Sequence, residues 1–177
     1  MGIFDFLKAK KTPSVEEMME KASDWTDVYM SRFAIQRGPD IKSAAFVFTA
    51  WAVWDYCLRR DLLPKGDVAN MYIASTLVYS GFDSKIKDPV DFIEIFKTRF
   101  KIFQTDMKGL SNSDYPRTKQ YLPFGIFCTI YKNQLSLNPT AGVDPHDLDT
   151  SEELHNFTGG FLKYWNMLIA DLEESYK

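Results

Sequence analysis

The chain has 177 residues, 45% of them hydrophobic and 25% charged; one domain fits that length, and that composition excludes wholesale disorder. Its 21 Lys and Arg against 24 Asp and Glu leave a formal charge of −3, which gives no basic footprint for nucleic acid. No stretch approaches the roughly 18 uncharged apolar residues of a membrane span, and Cys57 and Cys128 alone make neither a disulfide framework nor a Cys-based zinc site.

Residues 1–13 read as a short amphipathic or flexible N-terminal segment. Ile3, Phe4 and Leu7 share one helical face with Phe6 at its edge, and Lys8, Lys10 and Lys11 follow. A secretory signal has the opposite order, charge before apolar run, and Asp5 interrupts this one. Phe6 stands where a myristoylation signal needs Ser or Thr. A cytoplasmic protein is therefore expected. One or two turns of helix are marginal alone, so residues 1–11 are a weak membrane-surface foot at most.

The first long helix is predicted from Ser14, whose spacing to Glu17 is that of a capping box. Val15, Met18, Ala22, Trp25, Tyr29 and Phe33 recur at helical steps, and Arg37-Gly38-Pro39 supplies a stop. Asp40 can cap a second helix over residues 41–60. Its stretch AAFVFTAWAVWDYCL has only Thr49 and Asp55 as polar residues, the pattern of a helix buried on all sides. Asp67 and Gly81 bound a third, short helix, with Val68, Met71, Tyr72, Ser75 and Tyr79 as its stripe. Asp88-Pro89 starts a fourth, with Phe92, Phe96, Phe100, Phe103 and Met107 on one face, Lys97, Lys101 and Lys108 on the other, and Gly109 as its end. Phe124, Phe127, Cys128 and Tyr131 suggest a fifth over about 123–135, begun where Pro123 bars continuation. The last starts near Thr150 or Ser151 and repeats Leu154, Phe157, Phe161, Trp165, Leu168 and Leu172. Gly159-Gly160 in its middle predicts a kink or a neighbour packed on bare backbone. No segment alternates as a strand does. The expected fold is all-α, a single domain over residues 1–177, a bundle of about six helices around the buried helix 41–60.

Two places carry residues capable of chemistry. The first is residues 144–155, with Asp144, His146, Asp147, Asp149, Glu152, Glu153 and His155. Carboxylates and imidazoles ligate divalent metals, but the spacing matches no EF-hand and His-Glu-x-x-His is absent. A metal is not expected; an acidic loop feeding a helix N-terminus is. The second is Asp55 in the buried helix, paired by spacing with Arg59. A buried carboxylate either pairs or serves a site, here a pocket floored by Trp51 and Trp54. Cys57 and Cys128 sit among aromatics as small hydrophobes, Lys163 has a stem suited to lying along its helix, and no Walker loop, Gly-x-Gly-x-x-Gly or Gly-x-Ser-x-Gly is present. No catalytic residue and no cofactor are expected.

Without a catalytic motif, and with aromatics at 15%, the leading expectation is a non-catalytic interaction module. It would bind a basic protein surface, not nucleic acid, through an acidic and aromatic edge at residues 136–149 and the start of the last helix. The chain has the general look of small bacterial immunity-type or inhibitor proteins, without a motif diagnostic of them. The alternatives are a small-ligand-binding or metal-dependent helical enzyme using residues 144–155 or Asp55, and a peripheral membrane protein using residues 1–11.

Overall fold

Five helices and no strand are found among the residues that the computed structural model describes, 12–63, 89–112, 123–132, 138–144 and 152–176. Helix α1, Val15–Arg32, opens with the predicted capping box: Glu17 N–H donates to Ser14 Oγ at 3.1 Å, and Ser14 N–H donates to Glu17 Oε2 at 2.8 Å. It ends five residues before the expected Gly-Pro. Phe33 and Ala34 N–H both close on Tyr29 O, and Ile35 N–H donates to the Tyr131 hydroxyl at 3.2 Å. A tertiary hydrogen bond thus takes the chain out of the helix. Met18, Ala22, Thr26 and Tyr29 are its buried residues. Trp25, expected among them, is half-buried and donates its indole N–H to Asp171 at 2.7 Å.

Helix α2, Pro39–Arg59, is capped by Gly38 with no side-chain bond; Pro39 takes the first position and Asp40 lies in the first turn. The cap predicted at Asp40 therefore lies two places earlier, at Gly38, because a ready-set proline φ suits the first helical residue. At its other end Asp61 adopts φ 55°, Asp61 N–H donates to Leu58 O, and Leu62 N–H donates to Cys57 O. That is a Schellman ending with Asp where glycine is usual.

Helix α3, Pro89–Asn112, starts with proline as predicted but runs on through Gly109. Phe103 and Met107 are buried and Lys97, Lys101 and Lys108 exposed, as the pattern implies; Arg99 and Asp106 are buried as well, which it does not. Asp106 Oδ2 accepts Ile126 N–H at 2.7 Å. It satisfies an orphan donor at the start of the one-turn helix α4, Phe124–Phe127, which Pro123 cannot cap. The chain continues as a π-turn over Cys128–Lys132.

Helix α5, Glu152–Ser175, buries Leu154, Phe157, Phe161, Leu168 and Leu172 of its predicted seam, together with Tyr164. It is continuous across Gly159-Gly160. A Cβ on Gly160 would lie 3.4 Å from Phe33 O, so one glycine does admit a neighbour's backbone; Gly159 faces open space.

Phe48 of α2 joins the helices. Its ring lies 5.1–6.0 Å from those of Phe103, Phe161, Trp51 and Trp165. Tyr29 and Tyr164 bring α1 against α5, and Phe127 and Tyr131 meet Phe157. The Thr49 and Tyr164 hydroxyls bond at 2.6 Å inside this core. Asp171 also accepts from Lys21 at 3.0 Å, a second link between α1 and α5. No described helix is long and apolar enough to cross a membrane. Residues 1–11, the expected helix between Asp67 and Gly81, and the side chains of Phe92 and Phe96 lie outside the described residues.

Candidate functional site

Three helices leave a cleft of about 500 Å3 between them. Helix α2 contributes one face: Trp51, Asp55 and Arg59 at four-residue steps, with Ala52 and Tyr56 alongside. Helix α3 adds Gln104, Met107 and Lys108, and α5 adds Trp165 and Ile169. Trp51, Ala52, Asp55 and Met107 are buried and make the floor. Tyr56, Trp165 and Ile169 are half-buried walls, and Arg59, Gln104 and Lys108 are an exposed rim. Trp51 and Trp165 rings are nearly parallel, 22° apart, with centroids at 6.3 Å.

Asp55 and Arg59 pair as their spacing predicts. Arg59 Nε donates to Asp55 Oδ2 at 2.7 Å; the Asp55 side chain is 10% exposed and that of Arg59 68%. Burial pushes the Asp55 carboxyl above the usual aspartate range, and the Arg59 charge pulls back only part of that rise. Floor and rim thus hold one shielded acid under two cations. The expected second floor residue is corrected: Trp54 does not line the cleft but stacks on Phe100, centroids 5.6 Å apart. Trp165, Met107 and Lys108 take part instead. Their signal was present in the sequence as the i, i+4 pair Trp165–Ile169 and the i, i+3, i+4 set Gln104–Met107–Lys108. Helical spacing says which side chains share a face, not which faces meet.

The acidic segment fares differently. Asp144 is exposed at the end of a turn, residues 138–144, in which Gly142 has φ 71°. Glu152 is exposed, and Glu153 accepts from Gln36 Nε2 at 3.1 Å. His155 is half-buried on the first turns of α5. His146, Asp147 and Asp149 lie outside the described residues. Among the described residues no group of three or more His, Cys, Asp or Glu side chains could hold a metal ion.

Neither cysteine is in a disulfide and both are buried, and burial pushes the Cys57 thiol up to about 12, far from the thiolate a nucleophile needs. No family model matches the chain, and neither do the curated proteins nor the solved structures with which it was compared.

Proposed function

We propose that this is a non-catalytic binding protein that holds a small organic ligand in the cleft between α2, α3 and α5. The cleft itself carries the reading. Its volume, about 500 Å3, lies in the range of small-molecule sites, as does its mix of apolar walls and a few convergent polar groups. No described His, Cys or Ser lines it, so the described lining lacks the Ser and Cys nucleophiles of covalent chemistry. The test is a ligand-observed NMR screen of aromatic and aliphatic fragments against the natural chain and Ile169→Trp, which narrows the cleft from its half-buried wall. Fragments that bind the first and not the second support the reading. Fragments that bind both equally contradict it.

A second reading keeps the acidic edge as a docking surface for a basic protein, in the manner of an inhibitor or immunity-type module. It is supported by the absence of Lys and Arg between Asn133 and Leu162 and by the exposure of Asp144 and Glu152. Its aromatic half is weakened, because every described aromatic side chain is buried or half-buried. Joint charge reversal of Asp147, Asp149 and Glu152 tests it: a slower, less salt-sensitive association with a basic partner supports it, and unchanged binding removes it.

We further take α2 as the centre of a six-helix bundle. Twelve of its 21 residues are buried, and residues 67–80 carry the pattern of the sixth helix. A cytoplasmic place is supported by two buried thiols that form no disulfide.

A further inference from the structure

The groups around the cleft are unequally distributed between acid and base. Asp55 is the one carboxylate among the described lining residues, and it sits on the floor with Oδ2 taken by Arg59 Nε. That bond uses the inner edge of the guanidinium. The two terminal nitrogens belong to a side chain that is mostly exposed at the rim. Lys108, also exposed at the rim, forms no ion pair with a described residue. Gln104, four residues before it and on the same face, adds an amide. Two cations against one acid leave one net positive charge at the mouth, on a chain whose formal charge is −3. Below the mouth the accessible aromatic faces are those of Trp165 and Tyr56, with Trp51 fully buried beneath and nearly parallel to Trp165.

We propose that the cleft takes an aromatic carboxylate, its rings against Trp165 over the Trp51 floor and its charge held at the rim by Arg59 and Lys108. This rests on the cleft being a ligand site. Offset aromatic contact supplies most of the contact area, and charge-assisted hydrogen bonds from a planar guanidinium fix the carboxylate end. A cationic ligand is the poorer match. It would meet two like charges at the entrance before reaching an acid already bonded to arginine.

One ring system in three charge states separates the outcomes: naphthoate, naphthylmethanol and naphthylmethylammonium, titrated calorimetrically into the full chain. Naphthoate should bind at least about tenfold more tightly than naphthylmethanol, the size expected of one good charge-assisted contact, and naphthylmethylammonium more weakly than either. Lys108→Gln should lower naphthoate affinity severalfold and leave naphthylmethanol unchanged. Lys108 is exposed, so this variant disturbs no core contact; Arg59→Gln, which also unpairs Asp55, serves as the second variant, with circular dichroism to verify its fold. If naphthoate and naphthylmethanol bind alike and neither variant matters, the anion assignment is overturned while the cleft remains a site. Tightest binding of naphthylmethylammonium, lost in Asp55→Asn, overturns it in favour of a cation. If none of the three binds, the assignment and the reading beneath it fall together.

Discussion

Asp55 shows how one residue ties sequence, burial and pH together. Its four-residue spacing to Arg59 was visible in the sequence, and the pair forms at 2.7 Å. Its carboxyl is nevertheless raised, because burial outweighs the attraction of an arginine that is mostly in water. A raised acid binds its proton more tightly in the folded chain than in the unfolded one. Folding stability therefore falls as pH rises from the ordinary aspartate value through the raised one, and below both values this cost is absent. Asp55→Asn should accordingly be more stable than the natural chain at neutral pH. The gain should vanish in acid below the ordinary aspartate value. Urea denaturation at both pH values checks this, and a stability difference that is the same at both contradicts it.

At the scale of the element, two glycines that look alike in the sequence differ in what surrounds them. Gly159 lies in the interior of α5, exposed, with nothing near the place of a Cβ. Gly159→Ala should stabilise the chain by about 0.5–1 kcal/mol, the entropy and propensity gain of alanine in a helix. Gly125 in α4 is pressed on α3, where a Cβ would collide with Ile102 Cγ2 and lie 3.2 Å from the Asp106 carboxylate. Gly125→Ala should cost about 1–3 kcal/mol, the usual range for overpacking, and the two variants should shift the thermal midpoint in opposite directions. Shifts of the same sign would contradict the packing of α4 on α3. The sequence marked Gly159-Gly160 because two glycines interrupt a helical pattern. It gave no sign of Gly125, whose constraint comes from Ile102 and Asp106 on another element.

For the whole molecule, the all-α class and the starts of α1 and α3 were legible because capping boxes, prolines and helical periodicity act within a few residues. Of the side chains expected to be buried, Trp51, Phe161 and Leu168 are so, whereas Trp54 and Trp165 are half-buried. What was illegible depends on distant partners. Tyr131 draws the chain out of α1 at Ile35, Asp106 caps α4, and Trp165, which reads as a seam residue, stands half-buried at a cleft wall. The cleft was half legible: Asp55, Arg59 and Trp51 follow from α2 alone, whereas Lys108 and Ile169 join them only through the meeting of three helices. Because Phe48 touches rings from α3 and α5, Phe48→Ala should cost about 3–5 kcal/mol, as aromatic truncation in a core does. Trp165→Ala should cost less, since its ring is already part-exposed. Equal losses in chemical denaturation would mean that Trp165 is core and the cleft closed.

The 4 tryptophans of the chain are reporters for the claim on which the functional account depends. Trp51 and Trp165 line the cleft, while Trp25 bonds Asp171 and Trp54 stacks on Phe100. In a proton–nitrogen correlation spectrum each indole N–H gives its own peak. Titration with naphthoate should move the Trp51 and Trp165 peaks along one saturable curve and leave the Trp25 peak in place. Movement of Trp25 without them, or no saturable movement of any peak, would contradict a ligand site between α2, α3 and α5.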